Sequence, residues 1–392
     1  MDANVDPRTT LPADAARATL IGRAWLPGPT GGPTPVLLSK GELLDLSLVA
    51  PTVSALLELP DPLAAVRAVA RKAVGHLDSA LAAAPDPKNL HLLVPCDLQP
   101  VKAAGVTFAA SMVERVIEEQ ARGDPAAAQA VRTQVVALVG EDLSKIKPGS
   151  AQAMQLKDLL IAKKMWSQYL EVGIGPDAEI FTKGPPMSAL GTGTSVGLHP
   201  GSTWNNPEPE IVLAVSSNGA VRGAALGNDV NLRDFEGRSA LLLGKAKDNN
   251  GSCAIGPFIR LFDEHYGIDD VRNAVVDLTV EGDDGFVLRG ASSMARISRD
   301  PLDLVAQAIG PNHQYPDGLM LFCCTMFAPV QDRDAPGAGF THKIGDRVTI
   351  SSERLGALVN RVDRSDRIAP WTFGLGALMA NLAARGLLGV SS

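Results

Sequence analysis

Glu208 and Glu210 stand one residue apart in "TWNNPEPEIVLAV", at the entrance to an apolar, β-branched run. "EIVLAV" has the length and composition of a buried strand. Side chains at i and i+2 of a strand point to one face. An extended backbone through residue 208 therefore projects the two carboxylates side by side. Like charges held close and shielded from water repel, and a divalent cation between them removes the repulsion. The alternative is a solvated acidic strand end.

The next segment adds a third carboxylate. Asn218-Gly219 is a strong hairpin signal, and "AVRGAAL" has the pattern of a returning strand. With a two-residue turn Ser217 faces Ala220, so paired residue numbers sum to 437. Glu208 then faces Asp229 (437 − 208 = 229), unless a bulge shifts the register by one. Three carboxylates on one face make a hard, all-oxygen ligand set suited to Mg²⁺, Mn²⁺ or Ca²⁺ rather than Zn²⁺. The stretch "GNDVNLRDFEGRSALLLGKAKDNNGSCAIGP" places Arg233, Lys245 and Lys247 nearby. If a helical turn begins at Asp229, Arg233 lies one turn on, along the same face. Arg233 and Lys245 could then hold an anionic substrate beside the metal. A solvated loop with surface ion pairs is the other reading.

Other chemistries find little support. "GTGTSVG" at 191–197 lacks both the GxGxxG spacing and a phosphate-loop lysine. The six histidines are scattered with no HExxH or HxH pair, which argues against a histidine-built zinc site; His313, in "NHQYPDG", is a weak candidate on its own. There is no GxSxG elbow. The net charge of −7 and the lack of a basic cluster argue against nucleic acid as a partner. The apolar runs are too short to span a bilayer, and the N-terminus has no basic region followed by an apolar stretch. Four cysteines without ladder or CxxC spacing read as free thiols of a reducing compartment.

The elements that must position these residues read as α+β. "LIGRAWLPGPTGGPTPVLLSKGELLDLS" is a small β unit, followed by a helical stretch to about residue 74 and a Pro/Asp/Asn linker, "AAAPDPKNL". A boundary near residue 90 divides a small N-terminal α/β domain, 1–90, from a catalytic domain, 91–392. In the second domain a short strand, "LHLLVPCDLQP", precedes helices at "KAAGVTFAASMVERVIEEQARGDP", "AAAQAVRTQVVALVGEDL" and "AQAMQLKDLLIAKKMWSQYLEVG". From Phe181 to Asn360 strands predominate, interrupted by a helix expected at "CAIGPFIRLFDEHYG". An amphipathic helix closes the chain at "PWTFGLGALMANLAARGLLG".

"FTKGPP", "PEPEI", "LGNDVNLRDFEGRSALLLGKAKDNNGSCAIGP", "CTMFAP" and "HKIGDRVTISSERLGALVN" resemble, in order and spacing, the motifs of the fumarylacetoacetate hydrolase superfamily. The likeness runs from about Leu20 to near the C-terminus. Within the superfamily the chain is most similar to the branch that dehydrates 2-keto-3-deoxy-pentonates. The resemblance implies a mixed β-roll core with flanking helices and a metal at its mouth. It maps the metal ligands onto Glu208, Glu210 and Asp229. Lys183, Arg233 and Lys245 become substrate-binding or catalytic groups. Thr325 falls at a turn near the ligand, although Cys324 stands where the family has glycine.

Hydrolases of the superfamily often carry an HxxE pair that activates water, and here the corresponding positions are Ser111 and Glu114. Without the histidine, elimination is favoured over C–C bond hydrolysis. The implied reaction is Mg²⁺-dependent loss of water from a 2-keto-3-deoxy-pentonate, giving 2,5-dioxopentanoate in pentose catabolism. In it Lys245 is the base at C3, Glu114 delivers the proton to the leaving C4 hydroxyl, and Lys183, Arg233, Ser111 and Thr325 bind substrate. The alternatives are a hydrolase or decarboxylase of a 2,4-diketo acid on the same fold, and a non-catalytic binding protein. The resemblance also implies a cytoplasmic homodimer or homotetramer that binds a small 2-keto acid.

Overall fold

The hairpin expected to carry the carboxylates lies inside the larger of two sheets. The computed structural model describes residues 5–68, 72–105, 107–108, 146–323, 325, 329, 331–335 and 339–389. Its strands are β1 (Leu20–Leu26), β2 (Gly32–Ser39), β3 (Glu42–Asp45), β4 (Ala73–His76), β5 (His91–Leu93), β6 (Val101–Ala104), β7 (Ile180–Gly184), β8 (Ser195–Leu198), β9 (Pro209–Val215), β10 (Val221–Asp229), β11 (Cys253–Leu261), β12 (Val275–Glu281), β13 (Val287–Ser293), β14 (Leu319–Phe322), β15 (Arg347–Ser352) and β16 (Gly356–Arg364). The larger sheet runs β4-β3-β2-β1-β11-β10-β9-β14-β6-β7, with β5 added beside β1. The smaller runs β13-β12-β15-β16-β8. Both are mixed, since β14 pairs β6 and β16 pairs β8 in parallel while the other pairs are antiparallel. The α+β reading and the β-rich core therefore hold.

Every residue of β9 is buried, which is why its sequence shows no polar alternation. Ile211, Leu213 and Val215 enter one apolar cluster, with Val276, Leu278, Val348 and Ile350 of the second sheet. Val212 and Ala214 enter another, with Val101, Phe322 and the helix-borne Leu56 and Leu57. The two carboxylates preceding this run continue the face of Val212 and Ala214. The N-terminal β unit forms as expected, and β1 pairs β11, so its strands extend the same sheet.

The structure departs from the expected elements in four places. The helical stretch expected to about residue 74 breaks into helices Val53–Glu58 and Pro62–Ala68, and its last residues enter strand β4. "CAIGPFIRL" is strand β11, not a helix: it is buried along its whole length, so its apolar run carries neither a period of two nor a true helical stripe. Residues 101–104 form strand β6, where a helix was expected to begin at Lys102. "AQAMQLKDLLIAKKMWSQYLEVG" breaks into helices Ala151–Ala162 and Gln168–Ile174, with Lys164 between them at φ 57°. The closing helix forms at Leu375–Ala384. The helices expected over most of 109–145 lie outside the described residues. No helix among the described residues is long and apolar enough to cross a membrane. Cys96, Cys253 and Cys323 are buried free thiols.

Candidate active site

The β9–β10 hairpin brings the three carboxylates together. Gly227 pairs Glu210 and Asn228 pairs Pro209, so partner numbers sum to 437 at this end. Asp229 N donates to Glu208 O at 3.0 Å, which sets those two residues opposite each other. The connection itself differs from the expected two-residue turn. Val215 pairs Val221 across residues 216–220, and a register shift between Val221 and Gly223 then restores the sum. One oxygen each from Glu208, Glu210 and Asp229 lies within 4.8 Å of the others. All three residues are buried, at 6%, 1% and 1% exposure. Gly227 allows the close packing here, because a Cβ on it would sit 2.3 Å from the Phe322 ring and 2.5 Å from Val212.

Two lysines enclose the trio. Lys247 Nζ lies 2.5 Å from Glu208 Oε2 and 3.3 Å from Asp229 Oδ2. Burial works against its charge, but Asp229, Glu208 and Glu236 outweigh that and hold its pKa well above the ordinary lysine value. Lys183 is fully buried, and its ammonium lies 2.6 Å from Asp229 Oδ1, 3.1 Å from Val230 O and 2.6 Å from Lys247 O. Three N–H bonds facing three protein oxygens make it a brace for Asp229 and for the end of the helix Leu243–Lys247. Burial raises the Glu208 carboxyl above its ordinary pKa against the pull of Lys247. Three carboxylates against two ammoniums leave excess negative charge on buried hard oxygens, so the residues fit a divalent cation of the Mg²⁺, Mn²⁺ or Ca²⁺ type.

Lys245 is placed elsewhere. It is exposed, with its ammonium 5.4 Å from the centre of the Phe235 ring. Residues two apart on a helix point about 200° apart, so Lys247 faces the carboxylates while Lys245 faces away. Arg233 opens the helix Arg233–Glu236, and its guanidinium carbon sits 4.3 Å from the centre of the Trp204 ring. Thr325 is half-buried and donates to Glu210 Oε1 at 3.3 Å, which joins it to the trio. Ser111 and Glu114 lie outside the described residues.

The structure adds two carboxylates that the sequence reading did not single out. Glu179, Phe181 and Lys183 alternate along and just before β7, and Lys247 Nζ lies 5.8 Å from the Phe181 ring centre. Glu179 O accepts from Gly105 N at 3.0 Å, and a Cβ on Gly105 would fall 1.9 Å from Glu179 Oε2. Any side chain at that position would push the carboxylate out of this orientation. Burial pushes the Glu179 carboxyl up, Glu236 and Glu208 add to the shift, and Lys247 opposes it. Glu236 receives a 2.7 Å hydrogen bond from Asn231. The E-x-F-x-K period of two is the sequence signal that would have found Glu179.

No family model matches the chain. A 2-dehydro-3-deoxy-D-arabinonate dehydratase of Saccharolobus solfataricus is 28% identical over 190 residues, 48% of this chain and 60% of that protein. A probable 2-keto-3-deoxyxylonate dehydratase of Haloferax volcanii is 26% identical over 305 residues, covering 76% of this chain and 86% of that one. Among solved structures, a 2-keto-3-deoxy-D-arabinonate dehydratase complexed with magnesium and 2,5-dioxopentanoate superposes with a TM-score of 0.61 at 19% identity, covering 88% of this chain and 99% of that one. A fumarylacetoacetate hydrolase of psychrophilic Exiguobacterium antarcticum superposes at 0.53 with 15% identity, covering 88% and 100%. These two show a shared fold. The chain is thus similar in sequence to two 2-keto-3-deoxy-pentonate dehydratases and shares its fold with such a dehydratase and with a fumarylacetoacetate hydrolase.

Proposed function

We propose that the protein is a divalent-cation-dependent hydro-lyase that converts a 2-keto-3-deoxy-pentonate to 2,5-dioxopentanoate. The observation that carries this reading is the buried Glu208–Glu210–Asp229 trio with Lys247 against it and Glu179 within electrostatic reach. Such a site pairs a metal position with two proton-handling groups. The named activities of the two curated relatives, and the magnesium and 2,5-dioxopentanoate in the structural neighbour, support it.

A cation on the trio would polarise the C2 ketone of a bound 2-keto acid and draw off the negative charge that keeps the Lys247 proton in place. Lys247 then takes the C3 proton, in the role first assigned to Lys245. Glu179, a carboxyl with raised pKa, gives a proton to the departing C4 hydroxyl. The C3–H and C4–O bonds break, water leaves, and tautomerisation through C5 yields the aldehyde. Glu114 remains a second candidate for that proton, and Ser111 for substrate contact. Thr325 orients Glu210, Lys183 holds Asp229, and Arg233 receives the substrate carboxylate. Residues 1–90 are proposed as a domain that builds the outer part of the large sheet, with residues 91–392 carrying the site. A cytoplasmic homodimer or homotetramer belongs to the same reading.

Product analysis tests this. With Mg²⁺ and 2-keto-3-deoxy-xylonate or its arabinonate epimer, 2,5-dioxopentanoate is expected, with no pyruvate. Cleavage products from a 2,4-diketo acid, together with inertness toward both deoxy-pentonates, would instead establish the C–C hydrolase reading.

Trp204 provides a separate check on Arg233. It is 43% exposed and lies under the guanidinium. Stacking of this kind is worth about 0.5–2 kcal/mol. Trp204→Ala is expected to raise KM roughly threefold to tenfold with little change in kcat, and Trp204→Phe to restore most of the loss. A kcat effect without a KM effect would remove Arg233 from substrate binding.

A further inference from the structure

Asn231 lies two residues beyond Asp229 and is 1% exposed. Its backbone exchanges both hydrogen bonds with Asn206, at 3.0 and 3.1 Å, which fixes its Cα to the chain two residues before Glu208. Its amide nitrogen donates to Glu208 Oε1 at 2.8 Å and to Glu236 Oε2 at 2.7 Å. A primary amide has two N–H bonds, and both are used. Its Oδ1 is buried and accepts no hydrogen bond among the described residues. A buried acceptor without a partner is unfavourable, so the amide is retained here for its donors. Serine would supply one donor at shorter reach, and aspartate would add another negative charge to a site already rich in it. The other oxygen of Glu208 takes the Lys247 ammonium, so the carboxylate is held from both sides.

We propose that Asn231 is a positioning residue of the metal centre: its amide holds Glu208 in the orientation that receives the cation and tethers Glu236 beside it. This rests on the reading of the trio as a metal site. Without the amide, Glu208 keeps only one of its two restraints, and its ordering must then accompany metal binding. Groups that orient metal ligands commonly account for about 10- to 100-fold in metal affinity.

The test uses Mn²⁺ alone, titrated into the purified full chain and followed by electron paramagnetic resonance of the free ion. Asn231→Leu keeps the branched shape and removes both donors; Asn231→Ser is the second variant. Each is expected to bind Mn²⁺ about 10- to 100-fold more weakly, with a metal-free unfolding midpoint close to that of the parent. At saturating Mn²⁺ the substrate KM should return to the parent value. Affinity within twofold of the parent in a folded variant overturns the proposal. Loss of folding in both variants also overturns it, because an amide that only orients a ligand is not needed for the fold. A parent protein that binds no Mn²⁺ defeats the metal reading itself, a result seen before any substitution is made, and the proposal falls with it.

Discussion

Glu210→Gln is expected to abolish high-affinity divalent-cation binding and, with it, turnover. Glu210 is 1% exposed, its oxygen lies in the trio, and Thr325 donates to it. The amide retains one oxygen but loses the charge that a hard divalent cation requires. Groups that merely orient a ligand account for about 10- to 100-fold, so loss of a direct ligand should weaken Mn²⁺ binding by more than about 100-fold. Activity should fall below about 1% of the parent at ordinary metal concentrations, since the Lewis acid that stabilises the developing enolate is gone. The metal-free fold should be no less stable, because the change removes one of three mutually repelling buried carboxylates. Calorimetric titration with Mg²⁺ or Mn²⁺, thermal unfolding and an assay after chelation provide the measurements. Full activity in the chelated parent protein would sink the metal-dependent mechanism.

Lys247→Met should have an effect of similar size by another route, while Lys245→Met should leave turnover within about twofold, as surface substitutions usually do. Lys247 holds Glu208 and Asp229 in an ion-paired cluster; Lys245 is exposed over Phe235. Loss of a positioned acid–base group costs about 10²- to 10⁴-fold in rate. Exchange of the C3 protons with solvent should disappear in Lys247→Met and persist in Lys245→Met. Removing one partner of a buried pair also leaves uncompensated charge, at about 3–5 kcal/mol. The metal-free Lys247→Met protein should therefore unfold at a lower temperature, and Mg²⁺ should recover much of the difference by occupying the carboxylates. Retained exchange and near-normal turnover in Lys247→Met would show that the C3 base is another residue.

The convergence of three carboxylates was legible in the sequence because strand geometry is local and periodic. One i, i+2 step pairs Glu208 with Glu210, and one hairpin carries Asp229 to them. The arithmetic survived an incorrect turn length only because a bulge beyond the turn restored the register, a compensation that no residue pattern announces. Thr325 came from motif order alone. The choice between Lys245 and Lys247 was not legible. Both belong to one short helix, and the rotation of that helix about its axis is set by Lys183, which bonds to its last carbonyl, and by the carboxylates that attract Lys247. Glu179, just before the strand at the far edge of the sheet, comes within electrostatic reach of the cluster through a β-ladder that passes β6 and β14, and its carboxylate occupies the space left by Gly105. Strand β11 read as a helix because burial on both faces erases the alternation that identifies a strand. The sequence by itself determined the three carboxylates, their shared face and the fold class, since these follow from local periodicity. Which lysine faces the three carboxylates, and which distant carboxylate comes within electrostatic reach of them, only the tertiary structure decided, because those positions depend on contacts between residues remote in the chain.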